Sequence, residues 1–302
     1  MYDLLILGGG PAGLTAAIYA ARAGLHFAVL EQDGWGGGQI SSAWRVNNYP
    51  GLPGISGSEL GERIREHAVG LGAELRYGEA AALTRTAEGF LIETAEGDLL
   101  PARSVIAAPG SAPRKLGVPG EEKAGVSCCA VCDGEFFAGK AVAVVGGGDT
   151  AVDAALYLAG LCPRVTVLLR RDVFRAVKSR AELLKRTESV VIRTGTRVRE
   201  VLGDGRVEGL RIVSGEREEI LPCEGLFLAV GSRPQTGFLR SIPGLLDEDG
   251  YLLADETGAT AVPGLFAAGD ARKKALRQVA TAVADGANAA TAAAIFLQAG
   301  ER

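Results

Sequence analysis

The chain has 302 residues, with 32 Lys plus Arg against 36 Asp plus Glu, and its net charge of −4 leaves no broad basic surface for nucleic acid. At 47% hydrophobic and 23% charged it has the make-up of a folded rather than a disordered chain, and its length predicts roughly two domains of about 150 residues. Glycine is the outlier: 43 residues, with no collagen period and no Gly/Ser linker, must punctuate folded structure.

From the N-terminus, Met1 to Leu7 reads as a short strand running into Gly8-Gly9-Gly10, not as a signal peptide. Gly8-Gly-Gly10-Pro11-Ala12-Gly13 opens an alanine-rich helix to Ala23, and a second strand, Phe27 to Leu30, ends at Glu31. Strand, G-x-G-x-x-G, helix, strand and acid follow in the order that a dinucleotide-binding unit needs. The glycines permit the tight turn and let backbone approach a pyrophosphate. The helix N-terminus supplies free N–H donors, and Glu31 can accept from a ribose.

Next in the chain is Cys128-Cys129-Ala-Val-Cys132-Asp133. A C-x-x-C pair is either a redox disulfide or half of a metal site. Structural zinc needs four ligands, and Cys162, Cys223, His26 and His67 are not at ligand spacing, so the redox reading is favoured and no metal is expected. Five cysteines are too few for a secreted disulfide scaffold, which points to the cytoplasm. Asp133 adjoins the second cysteine, where a carboxyl group could move a proton as a thiolate forms.

The phosphate-binding pattern returns 138 residues after its first appearance: strand Ala141 to Val145, Gly146-Gly-Gly148-Asp149-Thr150-Ala151, a helix through Leu158, and strand Val165 to Leu169. Here Arg170 and Arg171, with Arg175 close behind, replace the acid. Glutamate would repel a 2′-phosphate and arginine would bind it. The first unit therefore suits FAD and the second NADPH. Two apolar strands end in Gly/Pro-restricted crossings, Ala108-Pro-Gly110-Ser-Ala-Pro113 and Ala229-Val-Gly231-Ser-Arg-Pro234, and Leu265 to Ala267 leads into Gly269-Asp270. Since that last strand has no unit of its own, it is assigned to the first domain. Val279 to Leu297 is mostly alanine, interrupted by Asp285, Gly286 and Asn288, and reads as a packed amphipathic helix rather than a membrane span. The fold predicted is α/β: two Rossmann-like three-layer domains, 1–110 with 241–302, and 111–240 inserted between them.

Gly8 to Gly13, Gly37-Gly38-Gln39, Asn48-Tyr-Pro-Gly51, Cys129 to Asp133, Gly146 to Ala151, Arg170-Arg-Asp-Val-Phe-Arg175, Gly269-Asp270 and Arg277-Gln278 occur in a fixed order. In that order the chain resembles, over essentially its whole length, the low-molecular-weight, bacterial-type thioredoxin reductases. The resemblance implies a homodimeric flavoprotein that passes electrons from NADPH through FAD and a Cys129–Cys132 disulfide to thioredoxin or a thioredoxin-like protein. It implies that Cys132 faces the flavin, that Cys129 attacks the partner and that Asp133 is the acid/base. It places Gly8, Gly10, Pro11, Ala12, Gly13, Glu31, Gly38, Gln39, Asn48, Gly269, Asp270, Arg277, Gln278 and Val279 around FAD. Gly146, Gly148, Asp149, Thr150, Ala151, Arg170, Arg171 and Arg175 would hold NADPH. Rotation about the crossings near Gly110 and Gly231 would let nicotinamide and disulfide take turns at one flavin.

Four positions depart from the family pattern: Leu169 for the usual His, Asp149 for Asn, Pro109 for Thr, and Cys128 for an aromatic residue. Cys128 is read as a small core residue. The stretch Asp33-Gly-Trp-Gly36-Gly-Gly38 is richer in glycine than the pattern requires. Larger disulfide reductases, with C-x4-C after the first turn and a catalytic His, fit poorly. A ferredoxin-dependent or oxygen-linked relative without NADPH, and a non-catalytic flavin redox sensor, are the alternatives.

Overall fold

The computed structural model describes residues 1–33, 37–43 and 45–300, so Gly36 lies outside the described residues. Its α-helices are α1 (Pro11–Arg22), α2 (Gly57–Gly70), α3 (Ala130–Asp133), α4 (Asp149–Ala159), α5 (Lys178–Lys185) and α6 (Val279–Ala299). The chain divides into two compact units, Met1–Ala112 with Arg233–Arg302, and Pro113–Ser232. The division between the units thus falls near 232, at the crossing through Gly231, rather than at 240. Chain beyond Ser232 already packs into the first unit, where Leu239 is fully buried with Leu5, Leu245 and Leu265.

In the first unit, parallel strands lie in the order Glu74–Tyr77, Phe27–Glu31, Tyr2–Leu7, Leu99–Ala107 and Leu265–Ala267. Along Tyr2–Leu7, Leu4 and Ile6 face the helical layer of α1 and α6, while Leu5 and Leu7 face Leu83, Phe90 and Ile92 on the other side. Burial on both faces is why this strand reads as a continuous apolar run. The front half of Leu99–Ala107 pairs antiparallel with Gly89–Thr94, which pairs in turn with Ala80–Thr86.

The second unit repeats this plan. Its parallel order is Val190–Arg193, Arg164–Leu168, Ala141–Val145, Gly225–Leu228 and Val126–Ser127. Val142, Val144 and Val167 pack against α4, and Leu168 and Leu226 against Val198, Val201 and Ile212 of a three-stranded antiparallel sheet. Both units therefore have the three layers expected. By position, the Val126–Ser127 strand, which leads into the cysteines, corresponds to Leu265–Ala267, which leads into Gly269-Asp270.

Helix α6 buries Ala282, Asp285, Gly286, Ala289, Ala290, Ala293, Ala294 and Leu297, one face at helical spacing. It is long and apolar enough to cross a membrane by length and composition, but this face is packed into the first unit. Gly286 permits the packing: a Cβ there would lie 2.1 Å from the Ala12 carbonyl oxygen of α1. Asp285 and Gly286, which read as interruptions of the apolar stretch, thus lie on the buried face. At the crossings, Ser111–Pro113 pairs with Ser232–Pro234, and Gly110 and Gly231 precede these strands at φ of +72° and +96°.

Candidate active site

The two glycine turns share one geometry. Gly8 sits at φ +109° and Gly146 at +150°, and a Cβ on either would come within 2.3 Å of a carbonyl oxygen, Ala108 or Ala229, on the neighbouring parallel strand. A Cβ on Gly13 would meet the Gly8 carbonyl oxygen at 1.8 Å, while the second unit accommodates Ala151 there, fully buried. Gly10 and Gly148 are different. A Cβ on Gly10 would meet only Gly38 Cα, at 3.9 Å, and one on Gly148 nothing within 4 Å. Both are the N-caps of their helices, α1 and α4, neither helix has a side-chain cap, and α1 begins with Pro11. Open space above uncapped helix N-termini fits a pyrophosphate, so these turns suit a dinucleotide.

Beside the first turn, Glu31 accepts the Gly9 N–H on one carboxylate oxygen and the Asp33 N–H, at 2.8 Å, on the other. It lines an open cleft with Leu7, Gly8, Gly78, Glu79 and Ala80 that suits the ribose and base of a nucleotide. Gln39 donates to the Ser111 carbonyl, and Asn48 Nδ2 donates to Gln278 Oε1 at 2.8 Å. Gln278 caps α6 reciprocally with Thr281, and the adjacent Val279 packs against the cluster of Ile40 and Leu60. Arg277 donates to the Asp270 carbonyl at 3.2 Å and lies 4.2 Å over the Tyr251 ring. Gly269 seats the Gly-Asp turn on α1, since a Cβ there would be 2.9 Å from Ala12 Cβ. The structure thus gathers the residues assigned to FAD within the first unit.

A buried charge cluster underlies this turn. Asp285 Oδ2 accepts the Gly269 N–H at 3.1 Å and Lys274 Nζ at 2.9 Å, and Arg272 lies 3.6 Å from Asp285 Oδ1. Lys274 also reaches Asp270 Oδ1, at 3.4 Å. Burial pushes the Asp270 carboxyl above its ordinary range, against the pull of Lys274 and Arg277. Apart from the Lys274 ion pair, Asp270 Oδ1 is buried with no hydrogen-bond partner among the described residues, which leaves it able to accept a ligand hydroxyl. The sequence reading missed Lys274 and the role of Asp285. The signal was Asp285's place on the helical face shared with Ala282 and Ala289.

In the second unit the last parallel strand ends at Ser127, and Cys129 and Cys132 form a disulfide with Cα atoms 5.3 Å apart. Cys129 is the N-cap of α3, and its Sγ accepts the Cys132 N–H at 3.2 Å. Ser127, buried, accepts the Cys129 N–H at 3.0 Å and donates its hydroxyl to Asp133 Oδ2 at 2.6 Å. A hydroxyl has one proton to give, and the 3.3 Å alternative at the Cys129 carbonyl is the weaker partner. Ser127 therefore orients Asp133, a role the sequence reading had not given it.

Cys128 is exposed, not a core residue. Side chains alternate along an extended segment, and with Ser127 turned inward its neighbour turns out. The desolvation it retains, with Glu121 and Asp133 nearby, pushes its thiol up. Cys162 and Cys223 are the buried free cysteines, and burial pushes Cys223 up to about 12.

Arg170, Arg171 and Arg175 lie exposed beyond the strand Arg164–Leu168, on a segment whose Arg175 amide donates to the Gly147 carbonyl at 2.7 Å. Leu169 is buried beneath the turn, its Cδ2 placed 3.3 Å from where a Gly147 Cβ would stand, so this position contributes packing and no phosphate contact. Asp149 and Thr150 open α4, exposed.

Two glycine-turn nucleotide units, one of them carrying a disulfide at a strand end, define a dinucleotide-dependent disulfide oxidoreductase. Residues 2–286 match the family described as pyridine nucleotide-disulphide oxidoreductase. A thioredoxin reductase of Listeria innocua is 42% identical over 95% of this chain and 91% of its own length. One from Treponema pallidum is also 42% identical, over 98% and 97%. The crystal structure of thioredoxin reductase from Streptococcus pyogenes matches with a TM-score of 0.91 at 39% identity, covering 99% of both chains. The chain belongs to the pyridine nucleotide-disulphide oxidoreductase family, in its low-molecular-weight thioredoxin reductase branch. It is an oxidoreductase whose family uses flavin and nicotinamide nucleotides.

Proposed function

We propose that the protein is an NADPH-dependent thioredoxin-disulfide reductase: NADPH, a proton and a partner disulfide give NADP⁺ and the partner dithiol. The observation that carries this reading is the Cys129–Cys132 disulfide, held with a hydrogen-bonded Asp133 in the unit that bears the arginine-flanked turn. FAD is assigned to the first unit, at Gly8, Gly10, Pro11, Ala12, Gly13, Glu31, Gly38, Gln39, Asn48, Gly269, Asp270, Arg277, Gln278 and Val279. NADPH is assigned to the second, at Gly146, Gly148, Asp149, Thr150, Ala151, Arg170, Arg171 and Arg175. Bound flavin supplies the two-electron relay between reduced nicotinamide and the disulfide.

The protein's own groups handle sulfur and proton. Once the disulfide is reduced, the Cys132 N–H stabilises charge on Cys129 Sγ, which makes Cys129 the thiolate that attacks the partner. Attack breaks the partner's disulfide, forming a mixed disulfide between Cys129 and one partner sulfur and releasing the other as a thiolate. Cys132 then attacks Cys129 Sγ, the mixed disulfide breaks as the Cys129–Cys132 bond re-forms, and the second partner sulfur leaves as a thiolate that takes a proton from solvent to complete the dithiol. Asp133, held by Ser127, takes the Cys132 proton and passes it to the partner thiolate released first. The resemblance carries a homodimer and a cytoplasmic setting with it.

The test is anaerobic: mix FAD-loaded protein with NADPH, NADH or reduced ferredoxin, follow bleaching of the flavin band, then add thioredoxin. Rapid bleaching by NADPH and reoxidation by thioredoxin support the reading. No bleaching by NADPH, with bleaching by ferredoxin, would overturn it.

A further inference from the structure

Asp149 places a carboxylate on the first turn of α4, beside a cradle suited to phosphate, where its charge would oppose the ligand. The carboxylate is otherwise engaged: Asp149 Oδ1 accepts the Val177 N–H at 2.7 Å. Val177 ends the segment that carries Arg170, Arg171 and Arg175 and caps α5. The same segment is tied midway, where the Arg175 amide donates to the Gly147 carbonyl at 2.7 Å. Just beyond it, Arg180 of α5 pairs with Asp153 of α4. The backbone of the arginine segment is thus fastened to the glycine turn and to α4 at successive points.

Its guanidinium groups are not fastened. The guanidinium groups of Arg170, Arg171 and Arg175 make no hydrogen bond or ion pair with the described residues, whereas those of Arg63, Arg65, Arg193 and Arg211 are paired with carboxylates. A held backbone with free cationic side chains is a site ordered before its ligand arrives, so binding loses less conformational entropy.

We propose that Asp149 is a positioning residue for 2′-phosphate recognition: through Val177 it holds the arginine segment in place, and so helps set the preference for phosphorylated over unphosphorylated nucleotide. This rests on the assignment of NADPH to the second unit. The effect is confined to the 2′-phosphate, because the tie acts on the arginines and not on the glycine turn. Asparagine at 149 would keep the tie, since its amide oxygen accepts the same N–H.

The test is calorimetric titration of the full-length, FAD-loaded protein with 2′,5′-ADP and with 5′-AMP. Wild type binds 2′,5′-ADP the more tightly. Asp149→Ala lowers the ratio of the two affinities by roughly fivefold to tenfold, whatever common change the lost charge makes to both. Asp149→Asn keeps the wild-type ratio. Should Asp149→Ala fold poorly, Val177→Pro breaks the same bond from the donor side, at a φ of −52° that proline accepts, and gives the same fall. An unchanged ratio, an equal loss for both ligands, or a fall in Asp149→Asn as large as in Asp149→Ala overturns the proposal. A wild type with no preference for the 2′-phosphate instead overturns the NADPH assignment beneath it.

Discussion

Replacing Lys274 with methionine removes the cation that bridges Asp270 and Asp285 while leaving the side chain's length, so the effect isolates charge. The Lys274 side chain is 7% exposed and that of Asp285 9%, which places the pair among buried ion pairs. Breaking such a pair by deleting one partner costs about 3–5 kcal/mol, because the remaining charge stays buried. Arg272, 3.6 Å from Asp285, remains and puts the cost at the low end, about 3 kcal/mol. For a unit of this size 1 kcal/mol moves Tm by about 2–4 °C, so the first unit should melt about 6–12 °C lower. Scanning calorimetry with flavin fluorescence reads that unit's transition. Lys274→Met with Asp285→Asn should recover part of the loss, since both charges are then gone. A Tm change below about 2 °C, or a double variant that merely adds the two single effects, would refute the buried-pair reasoning.

Gly10→Ala and Gly148→Ala should leave thermal stability within about 0.5 kcal/mol, yet weaken FAD and NADPH binding respectively, because the space a methyl would fill holds no protein atom; Gly8→Ala should lower stability outright. Arg170→Ala with Arg171→Ala should narrow the NADPH-over-NADH ratio of kcat/KM by about tenfold or more, and an unchanged ratio would show plain surface charge. Cys132→Ser should retain flavin bleaching by NADPH but abolish thioredoxin reduction, whereas Cys128→Ser should turn over within about twofold of wild type. Since the folded Asp270 pKa is raised above its ordinary 3.8, its contribution to stability is full below that value and is lost as pH rises through the raised one. The wild-type advantage over Asp270→Asn in urea midpoint should therefore be largest at or below about pH 4 and shrink as pH rises above it.

The parallel strands were legible because burial on both faces makes them unbroken apolar runs, and both phosphate turns because Gly8 and Gly146 occupy conformations and spaces that other residues do not fit. The second crossing was read at Gly231, but the boundary beyond it was set too late. From Arg233 the chain is already back in the first unit, and the short 3-10 turn that follows, Gly237–Leu239, is too brief to show a period. Ser127 and Lys274 carried no local signal, because each gains its meaning from a partner that only the fold brings near, whereas Asp285 was marked only by its place on the buried face of α6. Cys128 was misread because a small thiol is usually buried, and its outward direction depends on where the strand stops.

The split first unit bears on how the chain is made. A ribosome delivers residues in order, at about 5–20 per second. The inserted unit, Pro113–Ser232, is complete once its own last residue emerges. The first unit is not: its sheet lacks Leu265–Ala267, and α1 has no α6 to pack on. The N-terminal half must therefore wait, with Leu4, Ile6 and Phe266's future neighbours uncovered, while a later segment folds ahead of it. Vectorial synthesis is here inverted, and the nascent N-terminal segment is the part most in need of protection before termination.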